Sequence, residues 1–196
     1  MTMPKGYEHL VILGVLAVAV WLLATYLYPR LMLLAYKRAI LVHGVDSGPI
    51  PINTLYTQPQ ALFRDPLMPL PPGGSRLMSM GTNRDTLYVS GWLDLSKGPL
   101  VLHVPDMGTR YYSVQFTDSA TNTNFAYVGT RTTGTSAGDY LVTGPGWKGA
   151  VPDGVGHVSS PRNGVLLIGR VFVVDDSDVP AAYDLAQQIR LAPAVS

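Results

Sequence analysis

The chain of 196 residues contains no cysteine, few charged residues and no excess of one sign of charge. The absence of cysteine excludes disulfides, thiolate catalysis and cysteine-ligated zinc or iron–sulfur sites, but it fits either redox compartment. Only 14% of the residues are charged and the formal net charge is +1. Such a chain has no field that would gather nucleic acid. The length fits one ordinary domain with an additional segment.

A long uncharged apolar run follows a short tail of residues 1–9. Leu10 to Tyr28 contains no charged residue over 19 positions, and as a helix it is roughly 28 Å long, against a hydrocarbon core of about 30 Å. The alternatives are a buried helix, which this chain is too small to enclose, and a signal peptide. The A-x-A at residues 17–19 is followed by apolar residues rather than a polar start. The sequence therefore predicts a retained transmembrane helix over 10–28, in contact with the lipid bilayer.

The side of the membrane follows from two opposing signals. Arg30, Lys37 and Arg38 follow the span while Lys5 precedes it, so a positive-inside count places the downstream domain in the cytoplasm. After Arg38, however, lysine is scarce and glycine, threonine, serine, tyrosine and asparagine are abundant. This composition favours an exported domain, and we expect the periplasmic side.

Two segments connect the span to the remainder of the chain. Pro29 closes the predicted span, and residues 29–44 are expected to form an interfacial helix that Gly44 ends. Residues 45–82 contain seven prolines, which exclude a long helix or an inner strand. Two interpretations stay open for 45–82, namely an extended connector packed on the domain and a disordered linker. Apolar residues favour packing: Leu55, Tyr56, Leu62, Phe63, Leu67 and Met68.

The region 83–196 alternates short apolar runs with turn residues, which is typical of β structure. The alternation is plainest in Arg110 to Thr117, where every second residue is apolar. Val165 to Val174 is apolar apart from Arg170, which predicts a central strand. The remaining predicted strands are Thr86 to Leu95, Pro99 to Val104, Phe125 to Val128 and Asp139 to Thr143.

Strands repeated at this spacing predict a mainly β fold, as an antiparallel sandwich or barrel. One short helix is expected to close the chain. Asp178 is suited to its N-cap and Pro180 to its first turn. Ala182, Ala186 and Ile189 share one face of that helix.

Polar and aromatic residues are unusually dense between Asn83 and Gly134. Five motifs occur in order from Asn83 to Leu191: N-R-D-T-L-Y-V-S-G-W-L-D-L-S, V-P-D-M-G-T-R-Y-Y, G-T-R-T-T-G, G-P-G-W-K-G and L-A-Q-Q-I-R-L. In this order they resemble the bacterial family catalogued as domain of unknown function 1254. The resemblance implies a jelly-roll-like β domain but no reaction. Many members carry a companion domain, catalogued as 1214, in the same chain or in a neighbouring protein.

The resemblance and the predicted span together lead to an expected location and partner. We expect a single-pass protein of the bacterial inner membrane that lacks the companion 1214 domain and assembles with a companion protein or a larger membrane complex. The sequence departs from the family pattern at Arg84, where a smaller or uncharged residue is frequent, and at Ser136, where glycine or alanine is usual.

Three patterns associated with catalysis or cofactor binding have more ordinary interpretations. Gly134 to Gly138 matches G-x-S-x-G, but a strand rather than a helix follows the serine, so we expect a hairpin turn. Gly144 to Gly149 matches G-x-G-x-x-G without the helix that would bind a pyrophosphate. The four histidines are dispersed, and a metal site would require His103 and His157 to meet near Asp106 or Asp153. We predict no metal site and no cofactor.

A cluster of polar residues between Asn83 and Gly134, the central stretch, provides the candidates for ligand binding. They are Asp85, Tyr88, Arg110, Asp118, Asn124 and Arg131. If the aspartates converge with the arginines in a pocket, they can bind an anionic or polyol ligand or perform acid–base chemistry. Asp and Asn at strand ends also cap turns, and Arg–Asp pairs hold loops together, so structural pairing is the competing interpretation.

The sequence leaves three hypotheses for function. The first is a membrane-anchored binding or assembly module whose exposed apolar face is covered by a companion subunit. The second is an enzyme acting on a small molecule through the Asp/Arg/Tyr cluster. The third is a structural subunit that docks through the span itself, where Gly14, Ala17 and Ala19 supply small residues without forming G-x-x-x-G.

Overall fold

The structure, a computed structural model, describes residues 7–43, 49–60, 63 and 85–194. The chain divides into two compact units, Met1–Tyr36 and Lys37–Ser196. The described residues include the helices α1 (Tyr7–His43) and α2 (Val179–Gln188) and a 3-10 turn over Leu95–Lys97. The strands are β1 (Tyr56–Thr57), β2 (Thr86–Asp94), β3 (Leu100–Val104), β4 (Tyr112–Asp118), β5 (Thr123–Gly129), β6 (Gly138–Thr143), β7 (Gly156–Ser159), β8 (Gly164–Phe172) and β9 (Arg190–Pro193).

Helix α1 runs without interruption through Pro29, where the sequence predicts a boundary between two helices. Proline has no backbone N–H and crowds the preceding turn, which leaves carbonyl groups there to be satisfied in another way. Arg30 Nη1 donates to the carbonyl oxygen of Tyr26 at 2.8 Å, and its guanidinium lies 3.7 Å from the centre of the Tyr26 ring. The side chain after the proline thus supports the turn that the proline weakens. Gly44, the predicted stop, lies outside the described residues.

The stretch Tyr7–Ala39 of α1 is long and apolar enough to cross a membrane, by length and composition. A signal sequence passes the same test. The large apolar side chains along this stretch, such as Leu10, Leu16 and Leu23, are exposed. At about 50 Å the stretch exceeds the roughly 30 Å of hydrocarbon core, so it is longer than the 19-residue span that the sequence predicts.

The second unit is built on two β sheets. One has five strands in the order β1-β2-β8-β4-β5, and the other has four in the order β7-β6-β3-β9. The strand pairs are antiparallel except β6 with β7, which is parallel. The mainly β fold with a short C-terminal helix is confirmed, and β7 is a departure from a purely antiparallel arrangement. The jelly-roll connectivity stays a prediction.

The five-stranded sheet has one face in the core, as the alternation along β4 predicts. Tyr112, Val114 and Phe116 are fully buried, whereas Ser113 and Gln115 on the opposite face are half-buried. Strand β8 lies between β2 and β4, which confirms its predicted central position. Facing residues from the four-stranded sheet, among them Leu102, Val104 and Val142, complete the same core.

Helix α2 packs on β2 and β8 through its small apolar face. Ala182 and Ala186 are fully buried and Ile189 is nearly so, as their spacing predicts. Asp178 occupies the N-cap position, but its side chain makes no capping hydrogen bond. It accepts instead from the backbone N–H of Val174 at 2.9 Å and from Arg110.

Residues 49–60 lie along β2 and include the short strand β1. The backbone N–H of Asn53 donates to the Trp92 carbonyl at 2.8 Å, and that of Gln58 donates to the Tyr88 carbonyl at 2.8 Å. Of the remaining apolar residues in the 45–82 segment, Phe63 is described and is buried. The strands β1, β7 and β9 were not among the predicted strands, because each is at most four residues long and is defined by its partner strand rather than by its own pattern.

Candidate functional site

Arg110, which lies just before β4, forms a structural ion pair with Asp178. Its Nη1 and Nη2 lie 2.5 and 2.6 Å from the two carboxylate oxygens of Asp178, and Nη1 also donates to the Phe172 carbonyl at 2.6 Å. Hydrogen bonding from Arg110 is the main cause that lowers the pKa of Asp178 to about 2. The pair is largely buried, so it fastens α2 to the sheet.

Asp118 lies at the opposite end of β4 and organises the turn into β5. Its Oδ1 accepts from the Ala120 N–H at 2.9 Å and its Oδ2 from the Thr121 hydroxyl at 2.9 Å. Arg162 Nε donates to Oδ2 at 3.1 Å. Burial alone would raise the pKa of Asp118, but these donors outweigh it and the pKa lies below its usual value. The same turn places Asn122 at a φ of 56°, which asparagine tolerates better than most residues.

Tyr88 lies on β2, and Asp85 is the residue before that strand. Asp85 is exposed, and its carbonyl accepts from the Val173 N–H at 2.7 Å. Tyr88 packs its ring against the guanidinium of Arg170, 5.6 Å from the ring centre. Tyr88 and Arg170 are paired directly across β2 and β8, so their side chains share one face of the sheet.

Asn124 belongs to a hydrogen-bonded network on the same face of the sheet. Its Oδ1 accepts from Thr117 Oγ1 at 2.7 Å and from Gln115 Nε2 at 2.9 Å. Its Nδ2 donates to the Tyr127 hydroxyl at 2.8 Å. Gln115 continues the network to Arg170, whose Nη1 donates to Oε1 at 3.4 Å. The network fixes the amide of Asn124, and through it the Tyr127 hydroxyl.

Arg131 lies in the turn that follows β5, close to Tyr111, the residue before β4. The turn is closed by hydrogen bonds from the N–H groups of Thr132 and Thr133 to the Gly129 carbonyl, each 2.9 Å long. The guanidinium of Arg131 lies 5.5 Å from the centre of the Tyr111 ring. Arg131 and Tyr111 thereby form one wall of a concavity on the face opposite the core.

This concavity, termed here the Arg131–Arg170 concavity, has a volume of about 330 Å³. That volume is at the lower end of the range for small-molecule pockets. Its principal lining residues are Tyr111, Ser113, Tyr127, Gly129, Arg131 and Arg170. In this concavity Tyr111, Tyr127 and Arg131 lie beside Arg170 of β8, without an acidic residue among the described residues of the lining.

The six predicted site residues therefore fall into separate groups. Arg131 lines the concavity, while Tyr88 and Asn124 contact residues that line it. Asp85, Arg110 and Asp118 are absent from its lining, and Arg110 and Asp118 flank opposite ends of β4. Arg170 could have been identified as a candidate site residue from the sequence, because it is the only charged residue in the apolar run of β8. The sequence contains no comparable signal for Gln115 or Tyr127, because their roles depend on strand register.

The predicted turns and histidines take the following positions. Ser136 lies in the turn before β6, and the residues after it form a strand, so the nucleophile-elbow geometry is not formed. His103 Nδ1 lies 2.7 Å from Asp139 Oδ1, and His157 Nε2 lies 2.9 Å from Thr143 Oγ1. Within the described residues, no three histidine, aspartate or glutamate side chains are grouped so as to hold a metal ion.

The motifs of the central stretch lie within a region that a known family covers. A family model described as "Protein of unknown function (DUF1254)" matches residues 68–193. The chain belongs to this family. The matched residues contain β2 to β9, which is both sheets apart from β1, and they contain the lining of the Arg131–Arg170 concavity. No curated protein sequence matches the chain significantly.

Two solved structures are similar to this DUF1254 chain. A crystal structure of a Vibrio parahaemolyticus protein is 34% identical, with a TM-score of 0.53, and the match covers 57% of this chain and 28% of that one. A crystal structure of an uncharacterised Burkholderia cenocepacia protein is 14% identical, with a TM-score of 0.43, over 74% of this chain and 35% of that one. The match thus spans about a third or less of the length of either relative.

Proposed function

We propose that the chain is a membrane-anchored binding module that holds a DUF1254 β domain at a bilayer and assembles with a companion protein. The observation that carries this proposal is helix α1, whose stretch Tyr7–Ala39 is apolar and long enough to cross a bilayer, with residues 7–32 exposed. Exposed apolar surface on this scale is unstable in water and is stabilised by lipid or by protein.

The bilayer is the bacterial inner membrane and the β domain lies on its periplasmic side under this proposal. The support is compositional: after Arg38, Lys97 and Lys148 are the only lysines, while small polar residues are abundant. The positive-inside count opposes this orientation by only a small margin.

Assembly with a protein partner has one independent argument in its favour. In the Vibrio parahaemolyticus protein, the matched region makes up 28% of the chain. The matched fold there is one part of a longer polypeptide. We propose that this chain assembles with a companion protein, of the 1214 type or within a larger membrane complex.

Binding is favoured over catalysis because the carboxylates are engaged in structure. A carboxyl group that acts as a general acid at neutral pH needs a raised pKa and a position in a pocket. Asp118 and Asp178 instead have lowered pKa values, and each is held by an arginine. Neither aspartate lines the Arg131–Arg170 concavity.

Membrane fractionation of the full chain tests the anchor. The expected result is that the protein stays in the membrane after alkaline carbonate washing, with residues 7–28 retained in its intact mass. The variant Val18→Arg/Leu22→Arg should be released, because each central arginine disfavours insertion by about 3 kcal/mol. A matched variant with two arginines at Leu31 and Leu34, beyond the predicted span, should stay. Cleavage after the apolar run would overturn the anchor.

Cross-linking in native membranes tests the assembly. The expected result is a complex that survives extraction in mild detergent and contains a second protein. A monomer without any cross-linked partner would contradict assembly and leave the anchor intact. A reporter fused at Ser196 distinguishes the periplasmic from the cytoplasmic side.

A further inference from the structure

Strand register builds the floor of the Arg131–Arg170 concavity. Arg170 in β8 is paired with Ser113 in β4, and Ser113 is paired with Gly129 in β5. Ser113 has a small side chain and Gly129 has none, so these two positions leave a depression in the sheet surface beside the Arg170 side chain. A Cβ atom at Gly129 would lie 2.6 Å from the Tyr112 carbonyl oxygen and 2.8 Å from Ser113 Cα. The close approach of the two backbones therefore requires glycine at this position.

The two guanidinium groups of the concavity have no acidic partner. Among the ion pairs of the described residues, none involves Arg131 or Arg170. Each guanidinium instead lies over a tyrosine ring, Arg131 at 5.5 Å from the centre of Tyr111 and Arg170 at 5.6 Å from the centre of Tyr88. A guanidinium carries several N–H donors. Arg170 donates through Nη1 to Gln115, and its other N–H groups and those of Arg131 suit the oxygens of carboxylate or phosphate.

Tyr127 lines the Arg131–Arg170 concavity, and its position is fixed by Asn124 Nδ2, which donates to the Tyr127 oxygen at 2.8 Å. Asn124 is held in this orientation by donors from Gln115 and Thr117 to its Oδ1. The Tyr127 ring is about half exposed and provides an apolar surface beside the two cations.

We infer that the Arg131–Arg170 concavity binds a small organic anion. Its carboxylate or phosphate group accepts from Arg131 and Arg170, and its planar body packs on the rings of Tyr111 and Tyr127. A volume of about 330 Å³ suits a compact molecule. The ligand that we assign is soluble, and competition with lipid micelles distinguishes it from a lipid headgroup, which carries the same phosphate chemistry. This inference rests on the proposed function as a binding module and names its ligand class.

Calorimetric titration of the full chain in a neutral detergent tests this site. The probes are phenylphosphate and benzoate, with phenol as the uncharged control and inorganic phosphate as the control without a ring. The expected result is saturable binding of one equivalent of either anion, weaker binding of inorganic phosphate and none of phenol. Arg131→Gln and Arg170→Gln should each weaken binding by about ten- to a hundredfold. The matched control is Arg190→Gln, which removes an exposed arginine on β9 in the other sheet and should leave the affinity unchanged.

Several results would overturn the inference. They are the absence of saturable binding, equal weakening by Arg190→Gln and Arg131→Gln, and tight binding of phenol. Displacement of phenylphosphate by micelles containing phosphatidylglycerol would overturn the assignment to a soluble ligand, and lack of displacement supports it. If Arg170→Gln fails to fold, Arg131→Gln decides, because Arg131 lies in an exposed turn. Membrane retention is measured without ligand, so its outcome is independent of this test.

Discussion

Arg110 and Asp178 form a two-pronged ion pair, with N–O distances of 2.5 and 2.6 Å, between residues 68 positions apart in the chain. The pair links the residues before β4 to the residue before α2. The two side chains are 15% and 18% exposed, so each charge depends on the other for most of the interaction that replaces its lost hydration. Arg110 Nε is buried without a hydrogen-bond partner among the described residues, which makes the two terminal nitrogens the whole polar contribution of this arginine.

Loss of one partner of this pair should destabilise the domain strongly. Arg110→Met leaves Asp178 without its main donor, and we expect the free energy of unfolding to fall by about 3 kcal/mol, since breaking a buried pair leaves an uncompensated charge. Urea unfolding of the full chain in mild detergent, followed by tryptophan fluorescence, measures this loss. Lys97→Met, which removes an exposed cation, is the control and should change stability by less than about 0.5 kcal/mol.

The same pair predicts how stability depends on pH. The pKa of Asp178 is lowered to about 2 from 3.8, so its contribution is complete above about pH 4 and disappears as the pH falls through 2. The difference corresponds to about 2 kcal/mol. Unfolding measured between pH 5 and 2 should show this loss in the native chain and a smaller loss in Arg110→Met. Parallel pH profiles for the two proteins would contradict the assignment.

Local pattern predicts the parts of the fold that depend on burial. Alternation in β4 identifies Tyr112, Val114 and Phe116 as core residues, and the apolar run of β8 identifies a central strand. The structure confirms both, because burial on one or two faces is recorded in the residues themselves. The helix boundary predicted at Pro29 is different, because α1 continues through this proline and one helix stands where two are predicted.

The candidate site depends on register, which the sequence does not record. Tyr88 and Asn124 are separated along the chain, yet Arg170 and Gln115 connect them on one sheet face, and Arg131 lies over Tyr111. Asp118 and Arg110 have the same residue types that would suit a site, but they flank opposite ends of β4. Residue type alone therefore cannot separate turn-forming aspartates from ligand-binding ones.

The packing of residues 49–60 against β2 should depend on Gly91. A Cβ atom at this position would lie 2.5 Å from the Thr54 carbonyl oxygen, so Gly91→Ala must displace the segment and weaken the hydrogen bond from Asn53 to the Trp92 carbonyl. We expect a loss of about 2 kcal/mol and faster proteolysis within 49–60. Gly138→Ala is the matched control, because a Cβ there meets only the Tyr140 side chain. Equal protease resistance of the two variants would refute this role for Gly91.

Asp118 should matter far more than the arginine that pairs with it. Asp118 is 4% exposed and accepts from Ala120 N–H and the Thr121 hydroxyl, so Asp118→Ala leaves turn donors unsatisfied and should reduce stability by about 2 to 3 kcal/mol.

The Arg162 side chain is 58% exposed, and an exposed ion pair contributes little, so Arg162→Ala should reduce stability by less than about 1 kcal/mol. Asp118→Asn keeps an oxygen for the Ala120 N–H and should fall between the two. Urea unfolding of the three variants gives this order. If Arg162→Ala were as destabilising as Asp118→Ala, the ion pair rather than the turn would be the main role of Asp118.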